Sequence, residues 1–209
     1  MRAQIDHVIL AGPDLTELEQ YAEAHLGVRA RPGGSHPGMG TRNSLIGLGG
    51  QCYLELIAPD PDQPAPAAGR PFGVDGLTGP TVTGWALRVQ GIADWVAAAR
   101  ERGTDPGDPR PMSRTRPDGT ELAWQLTPPD TALDGAVPFL IDWGDSPHPS
   151  EGLEVVKLVS FRARHPEAAS LSSALEALQA PRGPIQVRVG EPPRLSVVIA
   201  TPDEEVTLS

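Results

Sequence analysis

Apolar and polar positions along the chain repeat one organisation: a short apolar run, a stretch with helical spacing, then further short runs set off by glycine and proline. Residues 5–10, Ile-Asp-His-Val-Ile-Leu, are β-branched and apolar enough for a strand. Period-two alternation puts Ile5, His7 and Ile9 on one face and Asp6, Val8 and Leu10 on the other. Asp14 stands three residues before Glu17, a capping-box spacing with Asp in place of Ser or Thr. Leu15, Leu18, Ala22 and Leu26 then recur at helical spacing, and Gly27 sits where a left-handed residue ends a helix. A glycine-rich polar loop over 36–43 feeds a short apolar strand. The chain turns at Gly49-Gly50 and returns through Tyr53-Leu54-Glu55-Leu56-Ile57. Residues 1–60 thus predict the order βαβββ.

Residues 61–82 are rich in proline and glycine and predict a surface linker. The pattern restarts over 83–144. A strand is expected at 84–89, a helix at 92–102 ended by Gly103, and strands at 112–116, at 121–126 after a turn at Pro117-Asp118-Gly119, and at 138–143. Residues 145–209 predict a third copy: a strand over 153–162, a helix opened by Pro166 with Leu171, Leu175 and Leu178 on one face, and strands at 185–189, 195–200 and 206–208. The expected class is α+β, built from tandem βαβββ modules with a βαβββ-like C-terminal module.

Composition narrows this reading. With 24 Pro and 23 Gly in 209 residues, short strands and many turns are favoured over a helical bundle. The formal net charge of -10 repels nucleic acid and anionic membranes, so neither is an expected partner. The single cysteine, Cys52, permits no internal disulfide. Its alternation away from Glu55 makes it a small buried apolar residue rather than a nucleophile. The start of the chain is too short and too polar for a signal peptide, and no run approaches the roughly 20 apolar residues of a spanning helix. A cytoplasmic protein is expected. The signatures of serine hydrolases, zincins, phosphate-binding loops and zinc fingers are missing from the sequence.

The chemistry centres on Glu55, the one charge in its apolar strand. An ionised carboxylate there costs several kcal/mol unless it is paired, hydrogen-bonded or metal-bound. The opening Ile5-Asp6-His7-Val8-Ile9-Leu10, the block from His36 to Asn43, Tyr53-Leu54-Glu55-Leu56-Ile57 and Phe139-Leu140-Ile141-Asp142-Trp143-Gly144 together resemble the vicinal oxygen chelate superfamily, in its glyoxalase-like branch. The resemblance covers the first two-thirds of the chain and extends into the third copy. It implies that paired modules form a curved, cup-like mixed sheet holding a divalent metal ion or a small-molecule ligand, in a monomer or homodimer. Lyase, isomerase or dioxygenase-like chemistry would follow. The superfamily's ligand positions match His7 and Glu55 in the first module. In the second they fall at about Trp85 and Ile141, which cannot ligate a metal, so His36, His148, Asp142 or substrate oxygens would have to complete the shell.

Two readings of His7 and Glu55 stand side by side: a buried structural pair, or a catalytic pair in which Glu55 takes a proton next to a carbonyl, with or without a metal. His36, Thr41 and Asn43 either tie down the glycine-rich loop or contact substrate. Four of the nine aromatic residues are Trp. Trp85 and Trp143, at presumed cup positions, are candidates for an apolar or aromatic ligand, or for the core. His148, between two prolines, is a surface histidine or a substrate contact. The expected function is a glyoxalase-like enzyme acting on a small carbonyl or enolisable compound; the alternative is a non-catalytic binding protein for an apolar small molecule.

Overall fold

The computed structural model describes residues 3–115, 119–129 and 132–209. In chain order the elements are β1 (Gln4–Ala11), α1 (Leu15–Leu26), β2 (Arg31–His36), β3 (Thr41–Gly47), β4 (Tyr53–Pro59), a short 3-10 segment (Pro71–Gly76), β5 (Thr81–Arg88), α2 (Ile92–Glu101), β6 (Arg110–Thr115), β7 (Glu121–Leu126), β8 (Phe139–Asp142), β9 (Lys157–His165), α3 (Ala168–Ala177), β10 (Ile185–Val189), β11 (Arg194–Ala200) and β12 (Glu205–Leu208). The expected turn at Pro117-Asp118-Gly119 and the last residue of the run 112–116 lie, Gly119 apart, outside the described residues.

Eight strands make one curved mixed sheet in the order β2-β3-β4-β1-β5-β8-β7-β6. Each half has the same wiring: the first strand of a module pairs in parallel with its last, β1 with β4 and β5 with β8, while β1 and β5 join the halves antiparallel. The sheet curls until its edge strands β2 and β6 touch. There Arg114 of β6 donates to the Gly33 carbonyl of β2. The class is α+β with tandem modules around a cup.

Local chemistry explains the helix ends. The Asp14 carboxylate accepts the Glu17 N–H at 3.0 Å, and Gly27 takes φ 70° to end α1, as its sequence predicts. Helix α2 begins at Gly91, which has no side chain to cap it, so Asp142 at the end of β8 accepts the Gly91 and Ile92 N–H groups at 2.8 and 3.2 Å. Asp142 is therefore a helix cap and not a metal ligand.

Alternation sorts the strands between two environments. Val8, Leu10, Leu54, Leu56, Trp85 and Leu87 enter the core beneath α1 and α2, where each fully buried leucine contributes roughly 1.5–3 kcal/mol. Tyr53, Glu55, Phe139 and Ile141 line the concave side. The segment 36–43, expected as a loop, is a hairpin: His36 closes β2 and pairs with Thr41, which opens β3. Residues 61–82, expected at the surface, fold back in part, because Pro71 and Val74 are buried and Phe72 overhangs the cup.

The C-terminal strands form a separate sheet in the order β10-β9-β11-β12. Its element order is the predicted βαβββ, but its wiring is not that of the other modules. Strand β9 pairs in parallel with β10, the module's second strand, and antiparallel with β11, its third. Phe161 joins this sheet to the main one by stacking on Trp85, with ring centroids 4.6 Å apart. No helix among the described residues is long and apolar enough to cross a membrane.

Candidate functional site

A β-bulge shapes the site. Between Ile5 and His7, β1 advances two residues while β5 advances one, from Leu87 to Ala86, so Asp6 is the extra residue. The bulge resets the alternation. Ile5 joins Val8 and Leu10 in the core beneath the helices, while His7 lines the cup. The expectation that Ile5 and His7 share a face is corrected on this ground. The residue facing His7 on β5 is Ala86, not Trp85. Trp85 points the other way, into the core, with its indole N–H on the Ala136 carbonyl at 2.8 Å. It is not a ligand contact.

Freed from either face, Asp6 becomes the hub of a buried network. Its Oδ1 lies 2.7 Å from His7 Nδ1, and its Oδ2 lies 2.9 Å from His148 Nε2 and 3.1 Å from Trp143 Nε1. Burial by itself raises the Asp6 carboxyl, but the hydrogen bonds from His148 and His7, and their charge, outweigh it and hold it at about 2. An ionised carboxylate only accepts, so both histidines present N–H to it. For His148 this agrees with its other nitrogen, which accepts the Ser150 backbone N–H at 3.3 Å. His148 is thus neither a surface residue nor a lining residue of the cup: it is 5% exposed and stands behind Asp6.

With Nδ1–H given to Asp6, His7 turns Nε2 toward Glu55 Oε2 at 3.5 Å. The ring is held flat against Tyr53, centroids 4.8 Å apart, with Phe139 meeting its edge. The other carboxylate oxygen, Oε1, accepts from Asn43 Nδ2 at 2.5 Å. His36 Nε2 stands 3.7 Å from that oxygen and its Nδ1 is 2.9 Å from Thr41 Oγ1. Burial pushes the His36 imidazole below its ordinary range; Glu55 opposes this and Arg114 reinforces it. Thr41 thus orients His36 within the hairpin. Burial also raises the Tyr53 phenol well above its usual value and takes the Cys52 thiol to about 12, so neither ionises near neutrality.

These side chains open into a cavity of about 70 Å³, room for a small molecule. His7, His36, Thr41, Asn43 and Trp143 all reach it beside Glu55. Much of the remaining wall is apolar, including Phe72, Phe139 and Ile141. Trp124 also lines it, with an indole N–H that has no partner among the described residues. Sequence reasoning missed Asp6, Arg114 and Trp124. Only Asp6 carried a signal, a buried-run carboxylate adjacent to a histidine.

The metal implied by the resemblance does not fit this donor set. No group of three or more His, Cys, Asp or Glu able to hold an ion occurs among the described residues. Ala86 and Ile141 stand on the second module's side. An ion between His36 and Glu55 Oε1 would lie against the amide N–H of Asn43. His148 is committed to Asp6 and Asp142 to α2.

Residues 5–179 match the model of a family described as a glyoxalase-like domain. No curated protein matches the chain. A solved structure of a hypothetical protein from Staphylococcus aureus is similar with a TM-score of 0.65 at 13% identity, over 98% of this chain and 84% of that one. Methylmalonyl-CoA epimerase from Mycobacterium tuberculosis is similar at a TM-score of 0.42 and 19% identity, over 68% of this chain and 88% of that one. The Streptomyces coelicolor epimerase in complex with 2-nitronate-propionyl-CoA reaches a TM-score of 0.44 at 20% identity, over 71% of this chain and all 100% of that one. The first likeness is one of fold alone; those to the epimerases carry no argument about this chain.

Proposed function

The chain belongs to the glyoxalase-like domain family of the vicinal oxygen chelate superfamily, and from that premise we propose that it is an enzyme moving a proton on a small carbonyl compound seated in the cup. The observation that supports this most is the Glu55 carboxylate on an otherwise largely apolar wall, 7% exposed, with Oε1 anchored by Asn43 and Oε2 turned to His7. A desolvated, oriented carboxylate is an effective general base. Glu55 Oε2 takes the proton from the carbon next to the carbonyl, and the electron pair moves onto the carbonyl oxygen. The His7 ring, protonated at Nε2 and backed by the Asp6 anion, donates to that oxygen. The electron pair then comes back off the oxygen as Glu55 returns a proton to the same carbon; where the enolate has turned its other face to Glu55 that carbon is inverted, and both residues are left as they began. His148 and Trp143 act through Asp6, fixing the His7 ring.

Incubation in D₂O with a panel of small ketones and aldehydes, read by proton NMR, tests this. The wild type should accelerate exchange of the α-hydrogen for at least one compound, and Glu55→Gln should slow it by roughly 10²–10⁴-fold with little change in melting temperature. Exchange that persists in Glu55→Gln overturns the assignment, and loss of folding makes Glu55 a structural carboxylate. The aromatic lining favours one other reading, a non-catalytic binding protein. Quenching of Trp fluorescence by an apolar compound, unchanged in Glu55→Gln and without exchange, would favour it.

A further inference from the structure

Glu55 and His7 stand on the paired strands β4 and β1. In the curled sheet, whose edges β2 and β6 touch, the strands half-way round from them are β7 and β6. That facing wall carries Trp124 on β7 and Arg114 on β6, donors that take no part in moving the proton, and both line the cup. Strand register sets Met112 across from Trp124 and Arg114 across from Leu122. Arg114 and Trp124 are therefore diagonal neighbours on one face. Such neighbours stand roughly 7–8 Å apart, near enough for two long side chains to meet on one small group.

Both groups are costly to bury. Trp124 is 9% exposed, and its indole N–H has no partner among the described residues, whereas Trp143, with its ring 5.1 Å away, gives its N–H to Asp6. A buried donor without an acceptor is rare in a native chain and calls for one from outside it. Arg114 is 4% exposed and is the one Lys or Arg among the described residues that line the cup. Its bond to the Gly33 carbonyl uses one of the several N–H groups of a guanidinium. Its charge also reaches into the cup. Burial is the largest cause of the shifts of His36 and Tyr53, but on both side chains the Arg114 cation works against the Glu55 anion. The cation and the base thus face the same space.

We propose that Arg114 and Trp124 hold a carboxylate of the substrate, so that the small carbonyl compound is a short 2-oxo acid. This rests on the proton-transfer reading of the same cup. One carboxylate oxygen accepts from the guanidinium and the other from the indole N–H. A carboxylate is planar and singly charged, which suits one cation; a phosphate would bring nearly twice the charge into a cup that already holds Glu55. A 2-oxo acid then spans the cup, with its third carbon at Glu55, its carbonyl oxygen at His7 and its carboxylate on the facing wall. Glu55 Oε2 takes a proton from the third carbon, and the electron pair moves onto the carbonyl oxygen. The reverse step restores the C–H bond, and the carboxylate changes no bond. It serves as an anchor that brings the third carbon, rather than the far end of the chain, to the base.

Proton NMR on 2-oxobutyrate and on its uncharged amide of the same shape, 2-oxobutanamide, tests this on the full chain. Binding is read by titration of the ligand signals, and exchange by loss of the signal of the third carbon in D₂O. The wild type should bind the acid at least about tenfold more tightly than the amide. Arg114→Gln should abolish that preference while leaving the affinity for the amide within about twofold. Trp124→Phe keeps the ring, removes the N–H and should weaken binding of the acid by about fivefold or more. Arg114 also closes the β2–β6 seam, so circular dichroism melts accompany each variant. If Arg114→Gln does not fold, Arg114→Lys, which keeps a charge at the seam but not the fork, should still weaken the acid more than the amide. Equal binding of acid and amide by the wild type overturns the proposal, as does a preference for the acid that survives both Trp124→Phe and the folded Arg114 variant. Binding of the acid that depends on Arg114 but brings no exchange overturns the proton-transfer reading and leaves the carboxylate site in place. Exchange of neutral ketones with no gain for the acid does the reverse.

Discussion

Replacing Asp6 by Asn removes the charge from the centre of the network without changing its shape. The side chain is fully buried and accepts from three N–H groups, those of His7, His148 and Trp143. An amide has one acceptor atom and one donor group, so it cannot satisfy all three. Turning its NH₂ toward Oδ2's position would set it against both His148 and Trp143; turning it toward Oδ1's position sets it against His7 alone. The second orientation is the cheaper, and it drives His7 to carry its proton on Nε2 with Nδ1 as acceptor. In the wild type the carboxyl is held at about 2, below its ordinary 3.8. That depression corresponds to about 2 kcal/mol of preference for the ionised form. With the disturbed hydrogen bonds, Asp6→Asn should lose roughly 2–4 kcal/mol at neutral pH, lowering the melting temperature of a chain of this size by roughly 5–12 °C. Because the folded-state value is depressed, the stabilisation is complete above the unfolded value of 3.8 and drains as pH falls toward about 2. Urea unfolding followed by circular dichroism should therefore show a wild-type advantage that is constant from neutral pH down to about 4 and shrinks by about 2 kcal/mol toward pH 2. Equal urea midpoints at neutral pH, or a gap that stays flat to pH 2, would refute the charge hub.

Two other substitutions probe the geometry around it. A Cβ at Gly33 would sit 2.1 Å from Asn43 Oδ1, so Gly33→Ala should push the Asn43 amide off Glu55, cost about 1–3 kcal/mol and lower α-hydrogen exchange; unchanged exchange kinetics would mean that Asn43 does not position Glu55. Trp85→Phe keeps a ring against Phe161 but deletes the hydrogen bond to Ala136; it should destabilise by about 1–2 kcal/mol while leaving quenching of Trp124 and Trp143 by a cup ligand unchanged. Loss of that quenching would return Trp85 to the site.

The site was half legible. Glu55 and His7 stood out because a charge and an imidazole in apolar runs need partners, and the repeated βαβββ order brings their strands together. Asn43 and His36 were visible as polar groups in a glycine-rich stretch, although the stretch is a hairpin whose strand register aims them at Glu55. Arg114 comes from the far edge of the curled sheet, and nothing near it in sequence says that β6 will close against β2.

Element type and order were set by the sequence, since the spacing of apolar residues, the Asp14 cap and Gly27 act over a few residues each. Facing and pairing were set by the tertiary structure. One inserted residue at Asp6 shifts the parity of β1, and that shift separates Ile5 from His7, puts Ala86 rather than Trp85 across from His7 and turns Asp6 into a hub. The C-terminal module keeps the βαβββ order and still wires its strands differently. Which face a strand buries and which neighbour it takes depend on ladders formed with residues far along the chain, and alternation within one strand carries no record of them.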